Sequence, residues 1–243
     1  MTFAKAGGLA ALTCAATYLA GFALLLTVLA PLGFGTDRID AAAVVAFIAE
    51  RPAVLIAWNT VIYVVNALAL VVLVVALRQR IASTRPDAAA LTGALGLVWA
   101  TLVLGAGMIA NVAVERAHTL VADPEAAAAL WQVLHAVELG LGGGNEIAGG
   151  AWIGMVSLAG RASGVFGKPI AWLGLLTGVA GLLTVFPPLS ESAGAAFGLG
   201  AIAWFLLVGG ALLRPGRQGV QATRERSHPG QARGPVRCCF RLT

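Results

Sequence analysis

Charge is what this chain has least of. Only 11% of its 243 residues are Asp, Glu, Lys or Arg, against 59% that are hydrophobic, and its mean hydropathy is +0.87. So much apolar side chain exceeds what one water-soluble core can enclose. Cysteine is scarce as well. Of the three, Cys14 falls inside an apolar run, and Cys238 and Cys239 are adjacent near the C-terminus, where a reducing cytoplasm disfavours disulfides. With no C-x-x-C spacing there is no cysteine metal site. The short catalytic signatures are missing too: the sequence contains no G-x-S-x-G, no H-E-x-x-H and no Walker lysine. Ser157, the serine nearest Glu146, lies three turns away along a helix. These absences weigh against an enzyme. No cofactor and no nucleic-acid partner is expected.

What is present is a series of apolar runs of roughly twenty residues, about the length a helix needs to cross a hydrocarbon core near 30 Å thick. The charged residues fall between them. Six spans are expected, near Leu9 to Ala30, Ala53 to Leu77, Ala88 to Val112, Leu139 to Ala159, Ile170 to Phe186 and Ala193 to Leu213. Strands of a membrane barrel would alternate apolar and polar residues, whereas LVVLVVAL and FALLLTVLA are apolar on every side. The expected fold is therefore all-α and polytopic, in contact with the lipid bilayer. The first run is longer than the apolar region of a signal peptide, and Pro31 would follow the scissile bond, so it reads as a retained span.

Lysine and arginine stay preferentially on the cytoplasmic side of short loops. With six spans, thirteen of them lie on the side holding both termini, and three, Arg38, Arg51 and Arg116, on the other. Both termini are expected to be cytoplasmic. The outer connection Thr36 to Pro52 contains IDAAAVVAFIAERP, which suggests a short interfacial helix. In the outer connection Ala113 to Glu138, Asp123 suits an N-cap, Pro124 the first helical position and Glu125 the positive end of the helix dipole. A helix from there to Ala159 would reach roughly 54 Å, so a bend, tilt or interruption is expected, with Gly140 to Gly144 the natural place. Residues 1–213 form the expected six-helix domain. Residues 214–243, with seven arginines against Glu225 alone, form an expected disordered cytoplasmic tail suited to anionic lipid.

The most unusual stretch is GLGGGNEIAGG, Gly140 to Gly150. It is not a dinucleotide fingerprint, because Asn145 stands where the third glycine belongs and no strand precedes it. Small residues at Gly140, Gly144 and Ala148, and at Gly150 and Gly154, suit close helix packing. Packing leaves Glu146 unexplained, since a carboxylate in a span costs at least about 2.5 kcal/mol unless it faces a cavity, pairs or takes up a proton. Counted from the outer boundary it lies roughly 10 Å deep, beside Asn145. Asn59, Tyr63 and Asn66, spaced by four and three, share a helical face, and Asn111 approaches the same level. These residues form either a polar layer binding a small ligand, ion or proton, or simple hydrogen bonds between helices in a structural or accessory subunit. A second constellation offers a metal reading: Glu115 and His118 are three apart, as are His135 and Glu138, and on antiparallel helices the four could ligate one ion in a metalloprotein or enzyme. The second pair is reversed relative to the E-x-x-H of carboxylate-bridged bundles.

The run GLGGGNEIAGGAW, with GMIANVAV before it and WLGLLTGVAGLLTVFPPL after it, resembles a family of small bacterial six-helix membrane proteins, that of domain of unknown function 4386. The resemblance covers most of residues 7–213. It implies the six-helix fold and a bacterial inner membrane, and it carries no activity and no catalytic residues.

Overall fold

The computed structural model describes residues 2–34 and 39–214, with the side chains of residues 142–145 outside the description. The chain divides into two units, Met1–Leu213 and Arg214–Thr243. The expectation of a disordered tail lies outside the described residues. Those residues contain no strand and form α1 (Phe3–Leu24), α2 (Ala41–Glu50), α3 (Pro52–Asn59), α4 (Asn66–Ala82), α5 (Pro86–Thr119), α6 (Pro124–Ala162), α7 (Lys168–Leu183) and α8 (Ser190–Leu213). Two π-helical turns extend these helices. Leu25–Leu29 continues α1, and Thr60–Val65 joins α3 to α4 in one rod. A 3-10 turn, Pro187–Leu189, leads into α8.

The helices form a closed ring. α1 packs on α4, α4 on α5, α5 on α6, α6 on α7, α7 on α8, and α8 returns to α1. Each rod thus lies beside its neighbours in sequence, as short connections demand. Four stretches are long and apolar enough to cross a membrane: Phe3–Leu32, Pro52–Ala82, Pro86–Thr119 and Pro187–Leu213. The fifth expected span corresponds to α7. α7 has 16 residues, about 24 Å, and the chain leaves the helix before Phe186 because Pro187 and Pro188 cannot continue it. The fourth expected span lies in α6, whose 39 residues reach about 58 Å. α6 is a single element, and the expected bend falls mostly on residues whose side chains are outside the description.

The caps follow local chemistry. The Asp123 carboxylate accepts from the Ala126 N–H at 3.1 Å, with Pro124 in the first turn of α6. Asp40 accepts from the N–H groups of Ala42 and Ala43 at the start of α2. The expected short helix in the first outer connection is therefore present. It is packed against protein: Ala41, Val44, Val45 and Ile48 are buried on one face, in a cluster with Leu29, Val114 and Trp131. A larger cluster fills the other half of the bundle around Trp99, Trp152, Trp204 and Phe205. There the Trp204 indole N–H donates to the buried Ser157 hydroxyl at 3.0 Å.

Glycine matters most where α6 meets α7. A Cβ on Gly150 would stand 2.7 Å from the Gly178 carbonyl oxygen, and one on Gly178 would stand 2.7 Å from the Gly150 carbonyl oxygen. The two backbones touch directly, as small-residue crossings in membranes allow. Meanwhile Leu68, Val98, Met108, Leu158, Leu176 and Leu199 are exposed on the outside of the ring. That is the surface expected of helices facing lipid rather than water.

Candidate functional site

A cavity of about 860 Å³ opens where the two clusters meet, lined from α1, α3, α4, α5, α6, α8 and both π turns. Its volume lies within the usual range for small-molecule sites. Both tyrosines of the chain, Tyr18 and Tyr63, line it. So do Glu138 and Glu146 from α6, with Glu191 at the start of α8. Among the described residues, no lysine or arginine lines it.

The sequence-derived polar residues divide. Asn59, Tyr63, Asn66 and Glu146 do share this cavity. π turns recur at functional sites because the inserted residue re-aims the face that follows, and here one separates Asn59 from Asn66. Asn66 is tied down, its amide N–H₂ donating to Thr17 Oγ1 at 2.7 Å and to the Cys14 carbonyl at 3.4 Å. Asn59 is 5% exposed, and what remains accessible of it lines the cavity. Asn111 is not among the lining residues: its amide donates to Thr60 Oγ1 at 3.2 Å, while its buried Oδ1 has no partner. Asn145 has its side chain outside the described residues.

The four-residue metal site does not form. Glu115 and His118 are exposed, whereas His135 and Glu138 line the cavity. The reason is helical phase: Ala110, Ala113, Val114 and Ala117 are the face α5 buries, and residues 115 and 118 fall off that face. Among the described residues no group of three or more His, Cys, Asp or Glu is placed to hold a metal ion.

Glu138 instead belongs to a polar triad. The Tyr63 hydroxyl donates to its Oε1 at 2.7 Å, and His135 Nδ1 lies 2.7 Å from its Oε2. Both oxygens of a carboxylate that is only 5% exposed are thereby satisfied, as burial requires. The His135 ring stacks on Trp131, with centroids 4.6 Å apart and planes 16° from parallel. Phe34 stands across them, 72° from Trp131 and 82° from Trp58. The Trp58 indole N–H donates to the Gly21 carbonyl at 3.2 Å, which ties the wall to α1. Gly107 of α5 lies directly against the Cβ of Tyr63, so a larger residue there would push the phenol off Glu138.

Glu146 lies eight residues farther along α6 than Glu138, about 12 Å toward the other end of the bundle. It makes no ion pair and no hydrogen bond to another side chain among the described residues. Trp131, His135, Glu138 and Glu146 are spaced by four, three and eight, which places them along one stripe of the helix. That stripe is the signal the sequence reading passed over, having paired His135 and Glu138 with α5. Tyr18, Phe34 and Trp131 were also missed. Among the other tryptophans, Trp99, Trp152 and Trp204 are core, Trp172 is exposed, and Trp58 lines the cavity.

Fold and site together define an all-helical protein with several helices able to span a membrane and a polar, aromatic-walled cavity among them. Compared with protein-family models, with curated proteins and with solved structures, the chain has no significant match.

Proposed function

We propose that this is a multi-pass protein of the bacterial inner membrane whose cavity around Glu146 takes up a small ligand, ion or proton from the outer side. Six spans with both termini cytoplasmic complete the reading. In support, α6 and α7 occupy places in a closed ring whose other members are long and apolar enough to span, and the excess of lysine and arginine falls on one side. The arginine-rich tail would then face the anionic cytoplasmic leaflet. Membership of the family of domain of unknown function 4386 is part of the proposal and rests on the runs GMIANVAV and GLGGGNEIAGGAW.

One observation carries it: Glu146, with no ion pair and no hydrogen bond to another side chain among the described residues, lines a cavity of about 860 Å³ together with Asn59. A carboxylate left like this in a bundle is costly unless something mobile satisfies it. The competing reading, a structural or accessory subunit, draws on Asn66 and Glu138, whose hydrogen bonds join helices. It gives no role to Glu146. The test is access. With Cys14→Ala, Cys238→Ser and Cys239→Ser as background, Asn59→Cys is treated with methyl methanethiosulfonate. Modification is expected, approaching that of Asp123→Cys. Full modification at Asp123→Cys with none at Asn59→Cys rejects the cavity reading.

A further inference from the structure

We propose that the ligand is an organic ammonium ion with an aromatic or aliphatic body, its charge held against Glu146 between Tyr18 and Tyr63, and its body lying toward Phe34, Trp58 and Trp131. This rests on the cavity reading above and specifies the occupant.

Charge is the first argument. The described lining holds three carboxylates, Glu138, Glu146 and Glu191, with His135 as the single basic group. Glu138 already has two partners in Tyr63 and His135. Glu146 has none among the described side chains, so it is the carboxylate left for a ligand's positive charge. An anionic ligand would have to enter against all three.

The walls are the second argument. Tyr18 and Tyr63 line the same cavity as Glu146, and aromatic faces attract ammonium groups, most strongly where water is excluded. Farther out, Phe34 stands nearly perpendicular to both Trp58 and Trp131, an arrangement suited to an apolar body. A bare metal ion or a proton would use neither the volume nor these rings. Asn59, on the same cavity wall, supplies an amide for a hydroxyl or carbonyl on the same ligand.

The test uses the full chain in phosphatidylglycerol nanodiscs and three probes with a phenyl body: phenyltrimethylammonium, its neutral isostere tert-butylbenzene, and the anion phenylacetate. Binding is measured by calorimetry and corrected with empty nanodiscs. Phenyltrimethylammonium is expected to bind at least ~10-fold more tightly than either of the others. Glu146→Gln, which keeps the shape, should abolish that preference, and Phe34→Leu should weaken binding of the cation several-fold. Glu115→Gln, on the exposed face of α5, should leave it unchanged. Adding phosphatidylethanolamine separates two sources of the same chemistry. A drop in apparent affinity assigns the ammonium to a lipid headgroup, and no change assigns it to a free solute. Equal binding of all three probes, or full preference retained in Glu146→Gln, overturns the ammonium assignment while Asn59→Cys modification still upholds the cavity. No modification at Asn59→Cys removes both.

Discussion

Gly181→Ala should disturb the site from the far side of its own helix contact. Gly181 sits in α7 where a Cβ would stand 2.5 Å from the Glu146 carbonyl oxygen, 2.8 Å from Gly150 Cα and 2.9 Å from the Phe197 ring. Two of those three neighbours are backbone and cannot swing aside. To reach ordinary contact near 3.4 Å, the α6 and α7 backbones must part by nearly 1 Å, at the residue that carries Glu146. Overpacking of this kind costs about 1–3 kcal/mol, set against a gain of about 1 kcal/mol from replacing glycine with alanine in a helix. Gly210→Ala isolates the packing cost, because a Cβ there meets nothing within 4 Å and only the helix gain applies. Unfolding of the purified protein by SDS titration in mixed micelles should therefore place Gly181→Ala about 1–3 kcal/mol below Gly210→Ala. Gly154→Ala, whose Cβ would have an ordinary 3.8 Å contact, should fall near Gly210→Ala. If Gly181→Ala proves as stable as Gly210→Ala, the close crossing of α6 and α7 is wrong, and so is the placement of Glu146 that depends on it.

Tyr63→Phe removes one of the two partners of Glu138 and should lower stability by about 1–2 kcal/mol. Most of that loss should vanish in a Glu138→Leu background, and equal losses in both backgrounds would contradict the hydrogen bond. Ser157→Ala leaves the Trp204 indole N–H without an acceptor at a site with 0% exposure, and should cost about 1–3 kcal/mol in the same SDS assay; an unchanged transition would argue against that pairing. For topology, membrane-impermeant thiol reagents added to intact cells should modify Asp40→Cys and Asp123→Cys but not Arg85→Cys or Lys168→Cys. Modification of Arg85→Cys would reverse the proposed orientation.

The helical class was legible without coordinates because it depends on composition summed over whole segments. Runs such as FALLLTVLA and LVVLVVAL are apolar on every side, and nothing but a helix satisfies their backbone in lipid. Local chemistry was legible for the same reason: Asp123 and Pro124 begin α6 through contacts within a single turn. Along one helix, spacing also placed Asn59, Tyr63 and Asn66 on the cavity they share. Which helix faces which, and in what rotation, was not legible, because helical phase is set by packing between segments far apart in sequence. Glu138 illustrates the difference. Read by spacing, it was matched with Glu115 and His118, but burial of Ala113, Val114 and Ala117 turns those two outward. Its second oxygen instead meets Tyr63, 75 residues earlier in the chain. Asn111 likewise carried no mark separating it from Asn59, and only the rotation of α5 sends its amide to Thr60 rather than into the cavity. The tertiary structure thus decided the membership of the site, because a side chain's partner depends on the rotation of two helices about their axes, and a sequence supplies the period of each helix without the angle between them.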